Sequence, residues 1–248
     1  MKKLIIFCVL VFAYASSYFA TGQSVSTLSL LNEMVDFEQL SSIPEPFFET
    51  FQFSSYDRRS EYPHKPGWFK NSDGFGGEPI PGFQQVLKEP DSDGFGEYLI
   101  CDEKGPGAIV RLWTAWIEGE ITLWLDGNQE PVYKGPAQKF FQHTYEAILD
   151  EEVNELWNGT LAQNTAGYYP IPYEKGCRIE WKGKLNTLHF YHVQVRQYPA
   201  DTKVKTFSRR DISRNLSRIN EIAEIMKKPS AKLDGELSAA PYHSVWLK

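Results

Sequence analysis

The densest run of chemically capable side chains lies at residues 56–76, "YDRRSEYPHKPGWFKNSDGFG". Asp57 can accept hydrogen bonds from two hydroxyls, Arg58 can donate through its planar fork, and Trp68 offers a flat apolar face. Tyr56, Asn71 and Asp73 add further donors and acceptors to the same turn-rich stretch. Carboxylate, guanidinium and aromatic plane together suit a sugar ring. The residue types alone also fit a plainer reading, in which Asp57 and Arg58 form an internal ion pair and Trp68 is core; without further information that reading is preferred. A second aromatic candidate stands in "RLWTAWI", where Trp113 and Trp116 are spaced by three. On a regular strand that spacing sends them to opposite faces, so at most one lines a pocket, and Trp113 is the choice.

The pentapeptide "SDGFG" ends the first of these segments and recurs at Ser92 to Gly96. Twenty residues of separation with unrelated flanks excludes a repeat array. A calcium loop aligned on Gly94 puts Ile100 where the closing glutamate belongs, and one aligned on Gly74 puts Phe69 at the first ligand position, so both copies read as Asx-type turns. No His/Cys cluster has zinc-ligand spacing, and neither metal nor cofactor is expected. Cys101 and Cys177 are consistent either with a disulfide or with two buried thiols on separate strands.

These residues need elements to hold them. A chain of 248 residues with 42% hydrophobic and 15% aromatic content can bury one large core or two small ones, and its net charge of -6 speaks against a nucleic-acid surface. The start, "MKKLIIFCVLVFAYASSYFATGQS", has two lysines, a short apolar run and small residues, the layout of a signal peptide over 1–22. The mature chain is therefore expected to be secreted or periplasmic and to need no membrane. "LSLLNEMVDFEQLSS" predicts a short helix within a lead-in over 23–46. From there to about residue 200, short alternating runs such as "EYLICD", "EITLWLDG" and "GCRIEWKG" predict an all-β antiparallel sandwich or barrel. "LHFYHVQVRQY" is partly apolar on both faces, which predicts a central strand with Leu188, Phe190, His192, Gln194 and Arg196 on one side. Residues 140–166 read as a long polar functional loop. "RRDISRNLSRINEIAEIMKKP" predicts a helix ending at Pro229, with Ile212, Leu216, Ile219, Ile222, Ala223 and Met226 on a face that needs a partner.

Three segments together carry a family resemblance: "SSYDRRSEYPHKPGWFKNSDGFG", "DEKGPGAIVRLW" with "LWLDGNQEPVYKGP", and "GYYPIPYEKGCRIEW". Their order and spacing resemble the domain of unknown function 2961, classified as glycoside hydrolase family 172, over about residues 47–200. The resemblance implies the first of two jelly rolls in an enzyme acting on fructofuranosides or arabinofuranosides. It implies a furanose-containing glycan as partner, and trimers or larger homo-oligomers for the full-length protein. It shifts the reading of Tyr56, Asp57, Arg58, Trp68, Asn71, Asp73 and Trp113 toward substrate binding, and the short, turn-rich loop is expected to gather Asp57, Arg58, Trp68, Asn71 and Asp73 around one concave surface. It also implies that the catalytic glutamate pair belongs to a second jelly roll, with 201–248 as the helix and start of the connection to it.

Retaining hydrolysis needs two carboxyl groups about 5–5.5 Å apart. The nearest pairs here are Glu118 with Glu120, which reads as a solvated turn, and Glu151 with Glu152, which reads as surface charge. No catalytic residue is assigned, and a standalone jelly-roll module that binds glycan or protein is the alternative.

Overall fold

Alternating apolar and polar positions, cut by turns rich in glycine, aspartate and proline, drive the middle of the chain into antiparallel strands. The computed structural model describes residues 24–56, His64 and 82–232. The signal-peptide segment, Asp57, Arg58, Trp68, Asn71, Asp73 and the stretch from 233 lie outside the described residues.

Two sheets form the sandwich. The first contains β1 (Glu49–Ser54), β4 (Gly107–Ile117), β7 (Ala162–Gln163), β8 (Ala166–Gly167), β9 (Ile171–Tyr173) and β11 (Leu188–Gln197), in the order β1-β11-β4-β8-β7 with β9 also paired to β4. The second contains β2 (Gln85–Lys88), β3 (Phe95–Lys104), β5 (Glu120–Leu125), β6 (Tyr133–Pro136) and β10 (Gly176–Lys184), in the order β2-β3-β10-β5-β6. All these strand pairings are antiparallel. The α-helices α1 (Thr27–Glu33), α2 (Ala137–Gln142), α3 (Thr144–Leu149) and α4 (Arg209–Lys227) accompany them. The fold is the expected all-β jelly-roll sandwich with flanking N- and C-terminal helices.

The inward faces of the two sheets supply one continuous core, including Ile100, Ile109, Leu123, Ile179, Trp181, Val193 and Val195. β11 is central, between β1 and β4. Tyr191, Val193 and Val195 face inward and His192, Gln194 and Arg196 face outward, as their alternation predicts. Leu188 departs from the expected face and is fully buried. The physical reason is local: Phe190 has φ +57°, which breaks the two-residue period between Leu188 and Tyr191. Cys101 and Cys177 are two buried free thiols on neighbouring strands with Sγ atoms 3.8 Å apart. The hydrogen bond between them, and then burial, push the Cys101 thiol well above its ordinary pKa.

Two sequence expectations are corrected. Residues 140–166 are not a polar loop. They fold into the end of α2, α3 and a compact return whose Tyr145, Ile148, Trp157 and Leu161 are buried in the core. The polar letters hide aromatic anchors: Tyr145 is stacked against Phe207 at 5.8 Å and meets Tyr169 at 4.9 Å, while Trp157 donates Nε1–H to Asn220 Oδ1 at 2.9 Å. The second correction concerns α4, whose apolar face is not left without a partner. Ile212, Ile219, Ile222 and Ala223 are fully buried in the same core, and α1 packs against the helix. Leu216, expected on that face, is instead 43% exposed. Burying each of three isoleucines is worth about 1.5–3 kcal/mol, enough to fix the helix on the sandwich. Its start is set by Ser208 and Asp211, which cap each other's backbone N–H groups, and Lys205 adds a 2.6 Å ion pair to Asp211.

Candidate functional site

β4 and β11 pair in register through Leu112↔Val193, Trp113↔His192 and Thr114↔Tyr191. Leu112, Val193, Thr114 and Tyr191 are buried, so Trp113 and His192 stand together on the opposite, outer face of the first sheet. Their rings are 4.8 Å apart at 47°, and Phe190 lies 6.5 Å from Trp113 at a near-parallel 24°. Phe190 reaches this position through its left-handed backbone, whose carbonyl accepts a hydrogen bond from Thr114 Oγ1 at 2.9 Å.

The same face continues with Arg111, which pairs with Gln194 two residues along each strand. Arg111 Nε–H donates to Tyr168 Oη at 3.3 Å, and its guanidinium lies 5.7 Å from the centre of that ring. Gln194 in turn donates to Gln52 on β1 at 2.9 Å. Burial, and then the positive charge of Arg111, hold the His192 imidazole below its ordinary pKa. A neutral imidazole offers one donor and one acceptor to a hydroxyl. Trp113 supplies a half-buried ring face, His192 an exchangeable proton site and Arg111 a cation within one patch.

The described residues on either side of 57–81 are both tied to Tyr191, and those on the N-terminal side lie next to this patch. Ser54 pairs with His192 across the β1–β11 ladder. Ser55 donates its N–H to the Tyr191 carbonyl at 3.1 Å, and Tyr191 N–H donates to Ser55 Oγ at 3.0 Å. On the return, Gly82 accepts a 2.5 Å hydrogen bond from Tyr191 Oη. Phe83 then enters the core, stacked against Tyr98 at 4.4 Å, Tyr191 at 5.6 Å and Trp181 at 5.8 Å. One residue, Tyr191, thus holds both feet of the segment. Tyr56 stands at the first foot and is 51% exposed.

Of the sequence-assigned residues, Tyr56 and Trp113 are described: Trp113 stands in the patch and Tyr56 is exposed two residues past β1. Asp57, Arg58, Trp68, Asn71 and Asp73 lie outside the described residues. Trp116 departs from the simple two-face expectation. Ala115 and Trp116 are both exposed, opposite the Phe190 irregularity, and Trp116 Nε1–H donates to Glu118 Oε1 at 3.2 Å. His192, Arg111, Phe190 and Tyr168 were not assigned from the sequence, because the β4–β11 register brings the first three beside Trp113 and the Arg111 hydrogen bond adds Tyr168. The available signal was the polar half of "HFYHVQVR", which marks the solvent face of a central strand.

The carboxylate pairs are placed as surface groups. Glu118 and Glu120 flank Gly119, whose φ of +85° makes the turn between β4 and β5, and Glu120 faces Lys134 at 3.5 Å. Glu151 and Glu152 are exposed. Among the described residues no three His, Cys, Asp or Glu side chains gather as a metal site. The second "SDGFG" is an Asx turn, but its acceptor is the preceding Asp91, which takes N–H bonds from Asp93 at 2.9 Å and Phe95 at 3.0 Å. Gly94 supplies the required positive φ of +76°.

Residues 46–215 match the family model described as GH172 first beta-sandwich domain, a span that runs from just before β1 into α4. A comparison with curated proteins found no match.

Proposed function

The chain belongs to glycoside hydrolase family 172 through its first beta-sandwich domain, and from that premise we propose that it is the substrate-binding jelly-roll part of an exported glycosidase acting on fructofuranosides or arabinofuranosides. The observation that carries the proposal is the outer-face patch of Trp113, His192 and Arg111, with Ser54 paired to His192 just before the segment bearing Tyr56, Asp57, Arg58, Trp68, Asn71 and Asp73. Trp113 would stack on the apolar face of a furanose ring, and His192, Arg111 and Asp57 would take its hydroxyls. The signal-like start of the sequence supports export.

The reading also holds that this chain does not cleave glycosides by itself. Its nearest glutamate pairs are a turn and a solvated surface, and hydrolysis needs both a nucleophile and a proton donor at the scissile bond. In this reading a second jelly roll provides that pair, and full-length assemblies are homotrimers or larger. The test is incubation of the purified chain with aryl arabinofuranoside and difructose substrates. Turnover indistinguishable from buffer is expected; turnover abolished by Glu118→Gln or Glu120→Gln would overturn the claim.

A specific observation favours a second reading, a self-sufficient binding module. The apolar face of α4 is already covered by this chain's own core, so the helix does not demand another domain. Light scattering of the purified chain, with and without a co-expressed second jelly roll, separates the two. Association with that partner supports the enzyme part, and an indifferent monomer supports the module.

A further inference from the structure

The outer face of the second sheet, on the far side of the sandwich from Trp113, ends in a cleft of about 510 Å³ that the proposed function leaves unused. It opens where the turn after β5 stands beside the end of β3 and the start of β10. Two ladders set a row across the sheet: Trp124 pairs with Arg178, and Arg178 pairs with Asp102. Trp124 is only half-buried, between the inward-facing and fully covered Leu123 and Leu125. The Arg178 guanidinium is held by two carboxylates, Asp102 at 2.8 Å and Glu180 at 2.6 Å.

That ion-pair row does little for stability. Arg178 and Asp102 side chains are 35% and 38% exposed, and ion pairs at such exposure are weakened by solvent screening. What the row does provide is a fixed plane of donors and acceptors next to an aromatic ring. Asp102 Oδ1, Trp124 Nε1 and the side-chain amides of Asn128 and Gln129 make no hydrogen bond among the described residues, so they are available to a ligand. Charge decides the ligand class. Along the cleft wall Asp102, Glu103 and Asp126 are matched by Lys104, Lys175 and Arg178. An anion such as a phosphate or uronate finds no net attraction there. A neutral polyhydroxylated ring finds an apolar platform, a carboxylate oxygen and the guanidinium N–H groups that Glu180 and Asp102 leave unused.

We propose that this cleft is a second, non-catalytic glycan site for a neutral saccharide, with Trp124 as the ring platform and Asp102 with Arg178 as the hydroxyl partners. The inference rests on the reading of the chain as a carbohydrate-handling protein. Such a site would hold a polymeric substrate on one side of the sandwich while another part of the same polymer occupies the Trp113 patch.

The test is affinity electrophoresis of the full chain through gels containing neutral fructan or arabinan, with polygalacturonate as the charged comparison. Thermal melting followed by circular dichroism accompanies each variant. Wild type is expected to be retarded by a neutral glycan, and W124A to weaken apparent affinity at least about tenfold. D102N is expected to weaken it less, and gives the readout if W124A fails to fold. W113A should retain part of the retardation, and the W113A/W124A double variant should retain none. Folded W124A and D102N chains retarded like wild type would overturn the cleft and leave the Trp113 patch standing. Complete loss in W113A alone, or stronger retardation by polygalacturonate than by neutral glycans, would also overturn it. A wild-type chain retarded by no glycan would remove the carbohydrate reading itself.

Discussion

His192 joins sequence, packing and function in one side chain. It sits on the solvent face of a central strand, yet burial by Trp113, and then repulsion from Arg111, disfavour its charged form. Its folded pKa therefore lies below the ordinary 6.5, and the stabilisation it represents is fully present above that value and is lost as pH falls through the folded pKa. Proton–carbon NMR should place the His192 midpoint below 6.5, and R111Q should raise it part of the way back, because burial is the larger cause. A midpoint at or above 6.5 in the wild type would show that the imidazole is solvated. At this scale the sequence was partly legible. Trp113 could be picked from "RLWTAWI", but its His192 partner depends on a register that no local pattern encodes. The Asx turn at "DSDGFG" was legible in kind, while its acceptor, Asp91, stands just ahead of the repeated pentapeptide. Asn71 holds the position in the first copy that Asp91 holds in the second.

Elements decide whether those residues stay in place. α4 was foreseen in extent from its apolar period and its stop at Pro229, but the partner of its face was not, since three-dimensional proximity to residues such as Trp157, bonded to Asn220, leaves no trace in the local sequence. Ile219 is fully buried in the common core. I219A should therefore cost about 2–5 kcal/mol in urea unfolding, with the sandwich and helix melting in one transition. A separate, earlier transition for the helix would mean that α4 is only loosely attached. The residue 140–166 segment shows the opposite failure. Its acidic and amide residues suggested a solvated loop, whereas four large side chains bury it. Composition averaged over a segment conceals a few anchors, and those anchors determine where the chain goes.

At the scale of the molecule, strand alternation and turn spacing were enough to specify an antiparallel sandwich or barrel, and the family resemblance chose the sandwich that the two sheets form. Family membership identifies it as the first beta-sandwich domain of glycoside hydrolase family 172. The two sheets leave one outer face to the Trp113 patch and the other to the Trp124 cleft, so a single core supports two separated surfaces. The central claim is that the Trp113 side handles furanose sugars. Calorimetric titration of the purified mature chain with arabinofuranose- and fructofuranose-containing oligosaccharides tests it most directly, alongside folded W113A and Asp57→Ala variants. Weak binding by wild type, reduced about tenfold or more in each variant, is the predicted result. No binding by wild type, or equal binding by all three chains, would contradict it.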